Sequence, residues 1–150
     1  MGYKELIEEA EQYGIITKEK PLRAYDGRIK GNRIYIRQNM TTVQKACVLA
    51  EELGHYHTTQ GDIIDQTVSG NRKQESRARL YAYRKMVTVD KLISAKRAGC
   101  RNRFEIADHI GTTEEMLQAA VNRYKEIYGT YLCRDGFLIR FDPLNIYEIV

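Results

Sequence analysis

Glu51-Glu52-Leu53-Gly54-His55 is the stretch on which the reading of this chain turns. A helix advances roughly 100° per residue, so with Glu51 at 0° Glu52 falls at about 100° and His55 at about 40°. The three side chains share one face. Donors at i and i+4 with a glutamate between them are what a metal centre needs when that glutamate is to take a proton from water. The usual residue at the first position is histidine; here it is Glu51. Composition predicts such a pentapeptide by chance about 0.02 times in a chain of this length. Taken by itself it is balanced by a charged helix face with an incidental histidine.

The surrounding sequence supplies the helix. Thr41 or Thr42 caps it, and Val43, Ala46, Ala50, Leu53 and Gly54 form its buried ladder, carrying it to about His57. Upstream, Tyr3, Leu6, Ile7, Ala10 and Tyr13 keep helical spacing up to Gly14. From Leu22 to Arg37 the pattern alternates through Ala24, Ile29, Ile34 and Ile36, with Gly27 and Gly31-Asn32 as turns, predicting two or three short antiparallel strands.

Downstream, Thr58 to Gly70 has no helical period and reads as a loop. Helices are expected from Asn71 through Met86, from Val89 to Ala98, from Arg103 to Ile110, and from Thr113 to Tyr128. Tyr131 to Cys133 and Phe137 to Phe141 flank Arg134-Asp135-Gly136, a hairpin signal because Asp-Gly tolerates the φ > 0 positions of a tight turn. The fold class is α+β, mostly helical with a small antiparallel sheet.

At 150 residues and 43% apolar content the chain is expected to be one domain. Residues 1–100, which include the pentapeptide, are expected to form the catalytic core if that pentapeptide binds a metal, and 101–150 a helical unit plus a C-terminal hairpin. No run approaches the roughly 20 apolar residues of a membrane span. The charged start, Met1 to Ala10, is not a signal peptide, and Leu6 stands where a myristoylated chain needs Ser or Thr. Cys47, Cys100 and Cys133 are odd in number and far apart, as in a reduced cytoplasmic protein. Charge is uneven: residues 71–103 carry 11 Lys/Arg against 2 Asp/Glu. Such a block attracts nucleic acid or an acidic partner, or is a solvated helix face.

Two segments carry a resemblance. Ala46-Cys47-Val48-Leu49-Ala50-Glu51-Glu52-Leu53-Gly54-His55-Tyr56-His57-Thr58-Thr59 resembles the active-site helix of the ImmA/IrrE metallopeptidases. Asn71-Arg72-Lys73-Gln74-Glu75-Ser76-Arg77-Ala78-Arg79-Leu80-Tyr81-Ala82 resembles that family's second signature, a helical glutamate followed three residues later by alanine. The resemblance covers roughly residues 1–130 and implies a zincin-like fold. It also implies a Zn²⁺ ion held by His55 and Glu75, with Glu52 as general base. Glu51 takes the place of the family's first histidine and is read as the remaining ligand, a variant of phage and mobile-element members. A carboxylate there leaves less positive charge at the metal and makes Mn²⁺ or another hard divalent ion more competitive. The implied activity is endopeptidase cleavage of a protein substrate, a helix-turn-helix repressor of a phage or mobile element. The alternative is a non-catalytic module that binds a repressor or nucleic acid.

Three further features lie outside this constellation. His57 is a substitute ligand only if the helix ends near Gly54; on a continuous helix it points about 200° from His55 and reads as a residue that packs or supports the site. His109 reads as a surface or half-buried histidine without a partner. Phe104 to Val121 fits a helix-turn-helix, but its second helix opens Thr113-Glu114-Glu115, and phosphates repel those carboxylates. It is read as structural packing or a protein-recognition surface.

Overall fold

The computed structural model describes residues 2–59 and 68–149, and the chain divides into two compact units, Met1–Lys85 and Met86–Val150. The boundary between the units precedes α4 (Val89–Arg97).

In the first unit, α1 (Tyr3–Gln12) leads through Gly14, at φ 76°, into β1 (Ile16–Lys20). β2 (Gly27–Lys30) and β3 (Arg33–Arg37) form a hairpin about Gly31, and α2 (Thr42–Thr59) and α3 (Val68–Met86) follow. The strand order is β1-β3-β2. β2 pairs antiparallel with β3, as the alternation predicted, and β1 adds a parallel strand on the other side of β3. β1 escaped the sequence reading because its residues are nearly all exposed and give no apolar alternation.

α2 begins with a reciprocal cap. Thr41 Oγ1 accepts from Gln44 N at 3.1 Å, while Gln44 Oε1 accepts from Thr41 N at 2.9 Å. Ala46, Cys47, Leu49, Ala50, Leu53 and Gly54 are buried along α2, whereas Val43, expected in the same ladder, is exposed. The loop expected over Thr58 to Gly70 is corrected at both ends: α2 runs to Thr59 and α3 starts at Val68. The intervening part of that expectation lies outside the described residues. In the last turn of α2, Thr58 and Thr59 donate their hydroxyls to the carbonyls of Gly54 and His55 at 2.8 and 2.7 Å.

In the second unit, α4, α5 (Arg103–Ile110) and α6 (Glu114–Tyr128) precede a meander of β4 (Tyr131–Arg134), β5 (Phe137–Phe141) and β6 (Leu144–Glu148). Asn102, Thr88 and Thr113 cap their helices with side-chain oxygens. Asp135 and Gly136, at φ 53° and 81°, make the expected hairpin turn. The third strand was not foreseen; only Ile146 in β6 is buried, too little for a pattern.

Among the described residues no helix is long and apolar enough to cross a membrane.

Candidate metal centre

Two glycines bring the candidate residues together. A β-carbon on Gly54 would lie 2.2 Å from the carbonyl oxygen of Ala78, so α2 and α3 meet there backbone to backbone. His55 follows Gly54 on α2, and Glu75 lies one turn before Ala78 on α3. The contact draws them together: His55 Nε2 is 3.6 Å from Glu75 Oε2. The other oxygen of Glu75, Oε1, accepts from Arg79 Nε at 3.1 Å.

On the opposite flank, β2 presses on α2. A β-carbon on Gly27 would lie 2.4 Å from Val48 Cγ1, 3.1 Å from Glu52 Cγ and 3.2 Å from Glu52 Oε1. Gly27, read from sequence as a turn, is instead the first residue of β2 and leaves room for the Glu52 side chain. Glu52 is half-buried. Burial raises its carboxyl to about 7, and the negative charges of Glu51 and Glu75 add to the rise.

Glu51 is exposed. Its carboxyl is nevertheless raised, first by loss of solvent around the carboxyl oxygens, with Arg79 opposing and Glu75 and Asp26 adding. Asp26 is itself paired with Arg37 at 3.0 Å. The four residues singled out in sequence thus divide. His55 and Glu75 are in direct apposition, and Glu51 and Glu52 on α2 feel the charge of Glu75 across the two helices. Among the described residues no three His, Cys, Asp or Glu side chains stand close enough together to form a ready metal cage.

The His55–Glu75 pair fits a divalent ion. Two donors about 2.0–2.1 Å from a tetrahedral zinc lie roughly 3.3–3.5 Å apart, close to the 3.6 Å found between Nε2 and Oε2. A neutral imidazole and a carboxylate are also a donor set of the right chemistry.

His57 lies away from this pair. Its ring centroid is 4.5 Å from that of Tyr13 and 4.9 Å from that of Tyr81, and its Nε2 is buried without a hydrogen-bond partner. Burial lowers its pKa, Glu9 opposes and Lys85 adds. A packing role follows, as the helical angle indicated. In the second unit, His109 Nε2 is 3.1 Å from Ser94 Oγ, so this histidine has a partner that sequence did not reveal. The α5–α6 pair turns at Gly111, φ 78°, and Arg103 donates to Gln118 Oε1 at 2.7 Å and pairs with Glu114 at 3.8 Å.

Helix-borne histidine and carboxylate donors beside a half-buried glutamate are the makings of a metal-dependent hydrolase. The family model described as Peptidase_M78, IrrE N-terminal-like domain, matches residues 10–122, and the chain belongs to this metallopeptidase family. The resemblance of the two helical segments to ImmA/IrrE proteins is thereby borne out. Neither the curated proteins nor the solved structures compared with the chain give a match.

Proposed function

We propose that this protein is a metal-dependent endopeptidase with a zincin-like catalytic unit, in which Glu51, His55 and Glu75 hold a divalent ion and Glu52 is the general base. The observation that carries the reading is the 3.6 Å apposition of His55 Nε2 and Glu75 Oε2 across two helices, with the Glu52 carboxyl within the electrostatic reach of Glu75. When bound, the ion supplies Lewis-acid polarisation of water and of the scissile carbonyl. Glu52 removes a proton from the attacking water, whose oxygen bonds to the carbonyl carbon. The C–N bond then breaks, and Glu52 returns the proton to the leaving amine. Zn²⁺ is the first expectation and Mn²⁺ the next, because two carboxylates and one imidazole form a harder set than two imidazoles and one carboxylate.

Family membership supports a protein substrate, and the one we propose is a helix-turn-helix repressor of a phage or mobile element, cleaved in the cytoplasm. The test is Glu52→Gln, which preserves shape and removes the base. It should retain metal and lose cleavage of the repressor; undiminished cleavage would remove Glu52 from the mechanism.

A second reading is a non-catalytic module that binds a repressor. It is favoured by the lack of a closed three-donor set among the described residues. Metal content separates the two.

A further inference from the structure

The register of the β1-β3-β2 sheet sorts its side chains onto two faces. Partners across a ladder point to the same side, and successive residues along a strand to opposite sides. Ile34 and Ile36 of β3 are buried, and Glu19 of β1 and Gly27 of β2 stand on their side of the sheet. Helices cover this face: Glu19 bonds Tyr3 of α1 and Lys45 of α2, and Gly27 lies against Val48 and Glu52 of α2.

The opposite face is of one sign. It carries Lys18 and Lys20 from β1, Arg28 and Lys30 from β2, and Arg33 and Arg37 from β3. All but the half-buried Arg37 are exposed. Arg37 is also the one with an ion pair among the described residues, to Asp26 at 3.0 Å. Tyr35 sits at the centre of the face. Lys18 is its partner on β1, Arg28 its partner on β2, and Arg33 and Arg37 lie two residues to either side on its own strand. Ile16, 46% exposed, completes the face. None of these residues belongs to the basic stretch 71–103.

Such a face attracts a polyanion, and Tyr35 decides which. An acidic peptide would use the cations and leave the ring idle. A duplex is excluded by width, since a major groove about 12 Å across admits a helix or a two-stranded ribbon and not a three-stranded sheet. An unpaired base can stack on an aromatic ring while its neighbouring phosphates meet cations. Here the cations stand about 4.8 Å away across the strands and roughly 7 Å away along β3. We propose that this face binds single-stranded nucleic acid, with a base on Tyr35 and phosphates on the surrounding lysines and arginines. It lies across the sheet from α2, so binding there needs no metal at His55 and Glu75.

The test is fluorescence anisotropy of labelled oligothymidylate and oligouridylate, each about 12 nucleotides long, titrated with the full chain over a range of salt. Binding of either supports the face, and the tighter of the two tells whether DNA or RNA is the natural strand. Arg28→Gln/Lys30→Gln should reduce the slope of log affinity against log salt by about 1.4. Tyr35→Leu should weaken binding roughly five- to a hundredfold, and Tyr35→Phe should stay within about threefold of native. Thermal unfolding of each variant reports folding separately. Failure of both strands to bind at low salt overturns the proposal, as does folded Tyr35→Leu that binds like native. A duplex or polyglutamate bound as tightly as the single strands also overturns it. A loss in Arg72→Gln/Lys73→Gln as large as that in Arg28→Gln/Lys30→Gln would move binding to the basic stretch 71–103 and overturn it too.

Discussion

Gly54 of α2 touches the backbone of Ala78 of α3 so closely that a β-carbon would lie 2.2 Å from the Ala78 carbonyl oxygen. One turn back from Ala78 is Glu75, and one residue on from Gly54 is His55. The helical contact and the apposition of donors are one feature. Glycine within a helix costs about 1 kcal/mol relative to alanine, and here that cost permits the approach.

Gly54→Ala should therefore do the opposite of what helix propensity predicts. The added methyl meets backbone, which cannot rotate away, so α2 and α3 must separate. Unfolding in denaturant should show a loss of roughly 1–3 kcal/mol, and metal uptake should fall with it. A variant as stable as native would mean that the two helices do not meet as described.

Gly27→Ala probes the other flank. Its β-carbon would meet the Val48 methyl at 2.4 Å and the Glu52 side chain at 3.1 Å. On the proposed mechanism Glu52 is the base and not a ligand, so the variant should keep its metal while hydrolysis falls at least about tenfold, the order of effect expected when a catalytic group is misplaced. Equal losses of metal and activity would point to general disruption of α2.

Glu19 links α1, β1 and α2, accepting from Lys45 Nζ at 2.6 Å and from the Tyr3 hydroxyl at 3.1 Å. The Lys45 hydrogen bond holds its carboxyl below the ordinary 4.5; burial opposes, and Tyr3 and the Lys45 charge add. A depressed carboxylate contributes stability that is present above 4.5 and is lost as pH falls through the folded value. Because the carboxylate is partly exposed, the contribution is at most roughly 1 kcal/mol. Native protein should exceed Glu19→Gln by that amount at neutral pH and converge with it as pH falls below the ordinary carboxylate range; a constant gap would contradict the linkage.

His57 packs between Tyr13 and Tyr81, so its loss should be read in stability. His57→Ala is expected to cost roughly 1–2 kcal/mol, while His57→Phe should retain native metal content. A fall in metal content in His57→Phe would make it a ligand.

The pentapeptide was legible because its three polar residues share a helical face, and Glu75 because it stands in a second helix ahead of Ala78. The family assignment followed from those two segments. Helices with capping residues and apolar ladders, such as α5 and α6, were legible to within a residue of their ends. β1 and β6 were not, since neither buries enough apolar surface to impose a period of two. The place of Gly27 was hidden for another reason. A glycine in an alternating stretch signals either a turn or a close approach, and only the packing of β2 on α2 decides between them. Arg79 did have a signal, its i+4 spacing from Glu75, but this gains meaning only once Glu75 is seen to face His55.

The central claim is that His55 and Glu75 are ligands of one ion, and elemental analysis of protein purified without chelator tests it most directly. Native protein should carry about one equivalent of Zn²⁺ or Mn²⁺, and Glu75→Ala, folded by circular dichroism, should carry almost none. Metal-free native protein after growth and purification with both ions in excess would contradict the claim, as would a Glu75→Ala variant that retains the full equivalent.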